Sequence, residues 1–459
     1  MTVSHVGEDR EPLYPPTLNP PPEPLSLPKF LLAISRNPLH VVPEVVYREP
    51  LFQYRSWLTW VTDPALVKRI LLDDRDNFPK TPLEKRILGP LIGNGLILSE
   101  GLEWKWQRQT TAPVFRHADV LRYMRAMIAA AEETIGRWRA GAPGSSHAID
   151  KDVSDASYRV ISDTMLSGGD GAAFERSELE KVRHSWPLAY SMIGLPEWVP
   201  HPGRAVKQRA ERDIRNSVLD MVRKRRANPG ERDDLVVHLL RARDSETGRP
   251  MSDGEIVDNL LTFLVAGHAT TAKALMWSLY LVARSPAWER RILDEVRGVA
   301  GDGPIERAHI DKLTATTKVI KEAMRLYPPV PEFPRVARTD VELGGTRLKA
   351  GSFVFLPLGA IHRHRRLWED PDRFDPERFA PEREQKYSRY QFMPFGGGPR
   401  ICIGVSFAMI EIAIMLAMFV RAARFEVPEG FVPEPISRLT MWSRNGMPLK
   451  VWPRPAAAS

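Results

Sequence analysis

The sequence predicts a mainly α fold with small β-sheets, an α+β arrangement, in one large domain over residues 1–459. Three observations predict it. Helical periodicity dominates from Pro64 to about Ile320. Short β-favouring runs gather near both ends of the chain. No glycine/serine linker, internal repeat or low-complexity tract divides the two. Hydrophobic residues make up 43% of the 459, enough to bury a large core and to exclude disorder over most of the length.

Residues 1–50 read as an extended arm, rich in proline and charge and without an apolar run of signal-peptide length. Alternation in Leu51-Phe52-Gln53-Tyr54 and Leu58-Thr59-Trp60-Val61 predicts two strands. The helical region beyond is broken at Gly141–Ser145, Gly168–Gly171, Pro200–Pro202 and Asn228–Gly230. Ser252-Asp253-Gly254-Glu255 is a capping box that opens a long helix ending near Arg284, before Pro286. Its stretch Leu260–Ala283 is long enough to span a membrane. Gly267, three threonines and Lys273 near its centre favour instead a helix through a soluble core. Val341–Phe355 reads as short strands around Gly344-Gly345 and Ala350-Gly351. Val405 to about Ala423 is again helical, with a broad apolar face.

The net charge is +8. Its arginines are dispersed among carboxylates, which argues against a nucleic-acid surface. The dense run Arg223-Lys224-Arg225-Arg226 suits a solvated helix end, where cations oppose the dipole. A basic docking face for an acidic protein is the better use of such charge. Cys402 is the one cysteine. It permits no intrachain disulfide or multi-cysteine cluster and suits a reducing compartment such as the cytoplasm. A lone cysteine is most often a buried hydrophobe. This one follows Phe395-Gly396-Gly397-Gly398-Pro399-Arg400-Ile401 and precedes a helix, whose N-terminal dipole favours a thiolate. A thiolate there suits one axial ligand of a planar metal cofactor.

The segment Phe395–Gly404 resembles the heme-binding loop of the cytochrome P450 family, Phe-x-x-Gly-x-Arg-x-Cys-x-Gly. Phe395, Gly398, Arg400, Cys402 and Gly404 fill its five defined positions. Glu322-Ala323-Met324-Arg325 would alone be an ordinary surface ion pair worth under about 1 kcal/mol. Pro376-Glu377-Arg378-Phe379 follows at the family's spacing, and the resemblance implies a buried structural network of Glu322, Arg325 and Arg378. Trp104 and Arg108, four apart in Trp104-Lys105-Trp106-Gln107-Arg108, match a family pair at a heme propionate, as does Arg335. Trp104, Arg108, Arg335 and Arg400 would then partner the heme carboxylates. The resemblance covers essentially the whole chain and implies the cytochrome P450 fold, with the long central helix over heme b and the cysteine loop beneath it.

In that helix, Ala266-Gly267-His268-Ala269-Thr270-Thr271 resembles the family's oxygen-activation segment. Gly267 would relax the helix to make room for dioxygen, and Thr270 would donate a hydrogen bond to it. The acid usual before this threonine is absent, because Ala269 stands there. Proton delivery would then depend on Thr270 and water. His268, about 100° further round the helix, reads as a packed histidine.

The resemblance places Ile87, Leu88, Leu91, Phe263, Ala266, Val330, Phe333 and Met441 around the substrate. These residues are mainly apolar, so a lipophilic substrate is expected. No fused reductase domain is expected after the terminal β region. Electrons originating from NAD(P)H would come through a ferredoxin or flavodoxin and its reductase, docked near Lys105, Arg122 and Arg125. The implied activity is that of a heme-thiolate monooxygenase: a monomer, cytoplasmic, without a membrane anchor and binding no nucleic acid. A peroxide-driven peroxygenase and a non-catalytic heme gas- or ligand-binding protein are the alternatives.

Overall fold

A computed structural model describes residues 12–166, 177, 204–228, 234–244 and 247–455. The expected breaks at Gly168–Gly171, at Pro200–Pro202 and beyond Asn228 lie outside the described residues. Five helices position the site: α1 (Gly101–Thr111), α2 (Ile149–Met165), α3 (Asp253–Arg284), α4 (Thr314–Leu326) and α5 (Val405–Ala422). The capping box forms as expected. Ser252 Oγ accepts the Glu255 N–H at 3.3 Å, and the Glu255 carboxylate accepts the Ser252 N–H at 2.8 Å. Thirty-two residues then run for about 48 Å through the core.

The strands are short and join distant parts of the chain. β1 (Leu51–Arg55) pairs antiparallel with β2 (Leu58–Val61). After β3 (Ser145–Ala148) come β4 (Glu332–Val336), β5 (Val341–Leu343), β6 (Thr346–Leu348) and β7 (Phe353–Pro357). β2 pairs parallel with β7, which pairs antiparallel with β4, so the sheet runs β1-β2-β7-β4. β5 and β6 form the expected hairpin. β8 (Ala423–Glu426) and β11 (Pro448–Pro453) build a second sheet with β3, while β9 (Pro435–Arg438) and β10 (Thr440–Ser443) form a hairpin. One buried apolar cluster extends from Leu18 to Val451, with α3 and α5 at its centre.

One described helix is long and apolar enough to cross a membrane, and it is α5 rather than the Leu260–Ala283 stretch. Protein covers 72% of it, as befits a core helix. It carries Glu411, which has no exposed surface. Neither carboxyl oxygen closes a hydrogen bond among the described residues, and the Ser157 hydroxyl of α2 approaches without completing one. Burial pushes this acid up to about 8.

The Glu322–Arg325–Arg378 network forms at the end of α4. Arg325 donates from Nε and Nη2 to the two Glu322 oxygens at 2.7 and 2.8 Å. Arg378 Nε stands 3.6 Å from Glu322 Oε1, and the Asp375 N–H donates to that oxygen at 2.8 Å. All three side chains are sealed from solvent. A surface ion pair is thereby excluded.

Two stability outcomes follow from these buried charges. Glu322→Ala leaves two buried arginines without a counter-charge and should cost about 3–5 kcal/mol in urea denaturation. A loss under about 1 kcal/mol would mean that solvent compensates them. For Glu411, the ordinary value of 4.5 rises to about 8 on folding. The folded state alone therefore holds the proton between those values, and stability falls as pH rises from 4.5 to 8. Glu411→Gln should accordingly gain a few degrees in melting temperature over the parent across that interval, and the gain should level off above it. A pH-independent difference would contradict the assignment.

Candidate active site

The cysteine loop is built by backbone contacts that side chains would prevent. Gly398 has φ +65°, and a Cβ there would stand 2.2 Å from the Leu71 carbonyl oxygen. The Cys402 N–H donates to the Phe395 carbonyl at 2.9 Å, closing the loop, and the partly buried Phe395 packs on the main core. Arg108 Nη1 donates to the Ile401 carbonyl at 2.8 Å, so α1 is tied to the loop beside the thiol. Cys402 keeps exposed surface even though protein surrounds it, which marks an opening inside the molecule rather than at its exterior. Burial pushes its thiol up, against the Gly404 N–H and the Arg108 charge that pull it down. Desolvation therefore outweighs the charge and backbone contacts that favour a thiolate. Among the described residues no group of three His, Cys, Asp or Glu side chains could hold a metal ion, which leaves Cys402 as the candidate ligand.

A group of cations lies near the loop. Arg400 stacks over the Trp104 ring at 4.6 Å and donates from Nη2 to the Ser99 carbonyl at 3.0 Å. Its Nη1 is buried with no hydrogen-bond partner among the described residues. Arg335, on β4, donates to the neighbouring Pro334 carbonyl at 2.7 Å and is half-buried. Lys80 joins them, held by the Ile97 carbonyl. Burial, opposed by Glu84 and reinforced by Arg400 and Arg335, lowers it to about 8. Glu84 and Glu100 are the carboxylates whose charges act on them, and burial raises Glu84. Three mutually repelling cations with an orphaned guanidinium N–H fit a cofactor that brings carboxylates of its own. Lys80 was not legible in Phe78-Pro79-Lys80-Thr81-Pro82, since only the tertiary fold brings it to Arg335 and Arg400.

The middle of α3 is open where both flanks are sealed. Val265, Ala266, Gly267, Ala269 and Thr270 keep partial exposure, whereas 260–264 and 271–282 are buried. Two of the expected site residues make contacts that the sequence did not indicate. A Cβ on Gly267 would meet Ile161 Cδ1 at 2.6 Å, so this glycine admits α2 to close packing. The Thr270 hydroxyl donates to the Ala266 carbonyl at 2.6 Å, one turn back. Its proton is thus engaged, and toward the opening the oxygen presents lone pairs. His268 is 8% exposed, sits 2.8 Å from Ser154 Oγ and meets the Tyr158 ring edge-on, as a packed histidine does.

The remaining pocket residues divide. Ile87 and Leu91 are buried and Leu88 half-buried on the helix Pro82–Ile92. Arg215 joins that helix to α3 through the Leu91 carbonyl at 2.9 Å and Asp258 at 2.7 Å. Phe263 packs against Phe115 with ring centroids 5.1 Å apart. Val330 and Phe333 keep partial exposure, and Phe333 faces Gly396 of the cysteine loop. Met441 is fully buried, its N–H donating to the Pro329 carbonyl at 2.8 Å and its carbonyl facing Trp277 Nε1. It holds the wall behind Val330 without presenting surface.

The cytochrome P450 family profile matches residues 20–451. Cyclooctat-9-en-7-ol 5-monooxygenase of Streptomyces melanosporofaciens is 30% identical over 430 residues, covering 89% of this chain and 92% of the relative. Pentalenene oxygenase of Streptomyces avermitilis is 28% identical over 433 residues, covering 92% and 94%. The crystal structure of the cytochrome P450DA heme domain superposes with a TM-score of 0.81 at 24% identity, covering 96% of this chain and 98% of that one. The same fold, the profile over nearly the whole length and the shared sequence place this chain in the cytochrome P450 family of monooxygenases.

Proposed function

We propose that the protein is a heme b monooxygenase that hydroxylates a lipophilic substrate, with Cys402 as the proximal ligand. Two observations support this reading: a cysteine thiol that keeps accessible surface although protein surrounds it, and a turn of α3 that keeps partial exposure between sealed flanks. When bound, the heme supplies the capacity to activate dioxygen and to transfer one of its oxygen atoms to carbon. The chain's own residues do the rest. Arg335, Arg400, Lys80 and the Trp104–Arg108 pair would neutralise and orient the heme carboxylates. The Thr270 oxygen would accept a hydrogen bond and hold a water or substrate oxygen beside Ala266. Ala269 would leave proton supply without the usual side-chain carboxylate.

Phe263, Leu88, Val330 and Phe333 would exclude water and hold the substrate by shape. Relatives named for oxidising cyclooctat-9-en-7-ol and pentalenene support that substrate class. Electrons from NAD(P)H would arrive through a ferredoxin or flavodoxin. Lys105 is exposed on α1, the helix that binds the cysteine loop, and Arg122 and Arg125 are exposed beside Tyr123, which packs on Phe407 of α5. This basic face suits an acidic electron donor. A single cysteine suits the reducing cytoplasm.

Cys402→Ser tests the assignment. The parent, loaded with heme, reduced and exposed to carbon monoxide, should show the red-shifted Soret band of a thiolate-ligated heme. The variant should lose that band while keeping its circular dichroism. A band that persists in the variant would show that another group holds the iron.

A further inference from the structure

Lys273, in α3, is the one buried lysine among the described residues, at 4% exposure. It follows Ala269 by four residues and Thr270 by three, so the three side chains share a helix face. Helical side chains lean toward the N-terminus, which carries the lysine stem back over the alanine. Its Nζ lies 5.9 Å from the centroid of the Trp442 ring on β10. The adjacent Met441 N–H bonds the Pro329 carbonyl, next to Val330. The ammonium therefore stands at the seam between α3 and the β10 wall, one turn beyond the open segment of the helix.

Resting on the monooxygenase reading above, we propose that Lys273 supplies the protons that a carboxylic acid at position 269 would otherwise relay. Cleaving dioxygen to one inserted oxygen atom and one water takes two electrons, from NAD(P)H through the partner proteins, and two protons. For each proton, an N–H bond of the ammonium breaks. The proton passes through a water held by the Thr270 oxygen to the oxygen atom that leaves as water. The neutral amine then regains a proton from solvent. Alanine at 269 is what makes this possible, because a longer acidic side chain there would engage the ammonium in an i,i+4 ion pair.

Two measurements test it. Ala269→Glu should raise the melting temperature by about 2 °C through that ion pair, and the gain should vanish in a Lys273→Met background. An equal gain in both backgrounds means that the ammonium does not reach position 269, and the proposal falls. With the lipophilic compound that gives the parent its highest product yield, Lys273→Met should lower product per NAD(P)H about tenfold. The missing electrons should appear as hydrogen peroxide, with substrate affinity by spectral titration unchanged. Lys273→Arg keeps the charge without releasing a proton and should behave like Lys273→Met. Parental coupling in either variant, or a loss confined to substrate affinity, overturns the proposal. If the parent itself forms no NAD(P)H-dependent product from any lipophilic compound, the monooxygenase reading fails, an outcome distinct from loss of coupling in the variants.

Discussion

The active-site architecture depends on one buried carboxylate. Glu322 has no exposed surface, and an unpaired charge there would be very costly. Arg325 satisfies it and also donates to the carbonyls of His362, Pro371 and Arg373, at 2.8, 2.7 and 3.0 Å. Each of those bonds fixes a stretch of irregular backbone that has no helix or sheet to hold it. His362 extends the chain of constraint, since its Nε2 accepts the Met393 N–H at 3.1 Å. Burial and the nearby Arg325 charge bring this imidazole down to about 3, so it stays neutral and able to accept. Met393 lies two residues before Phe395, whose carbonyl holds the Cys402 N–H. An ion pair at the end of α4 thus fixes the position of a sulfur on a distant loop.

The opposite charge balance governs the cofactor cradle. Around Glu322, Arg325 gives its hydrogen bonds to that carboxylate and to three backbone carbonyls, while Arg378 adds charge at 3.6 Å with its Nε unpaired among the described residues. Around Lys80, Arg335 and Arg400 the cations outnumber the carboxylates, and Arg400 retains an N–H with nothing to donate to. The first group is sealed from solvent, whereas the second is half-buried. Counter-charge separates them: Glu322 lies between Arg325 and Arg378, whereas Lys80, Arg335 and Arg400 repel one another.

This difference explains what the sequence could and could not show. The loop that closes on Cys402 and the Glu322–Arg325 pair are legible because local spacing sets these contacts, through glycines in a tight loop or two side chains a helical turn apart. The short strands were legible for the same reason, although the order β1-β2-β7-β4 was not, because it joins segments nearly three hundred residues apart. Lys80, His362 and Glu411 carry no local signal at all. Their importance comes from the elements packed against them. Gly267 likewise has a packing partner that its motif position did not indicate, Ile161 of α2.

The long helix α3 separates two kinds of polar residue by rotation alone. Gly267 and His268 turn toward α2, where glycine admits Ile161 and the imidazole meets Ser154 and Tyr158. Ala266, Ala269 and Thr270 turn toward the opening, and Lys273 continues that face by one turn. Successive residues are about 100° apart, so neighbours in sequence answer to different constraints. The α2 face is close-packed and tolerates little change in volume. The open face keeps partial exposure at Ala266, Ala269 and Thr270, so volume there is less tightly constrained. Replacing an acid by alanine at 269 therefore does not disturb the helix packing that holds the site. On the proposal made for Lys273, the task of proton supply passes along the same face to a side chain one turn on that carries charge and exchangeable protons together.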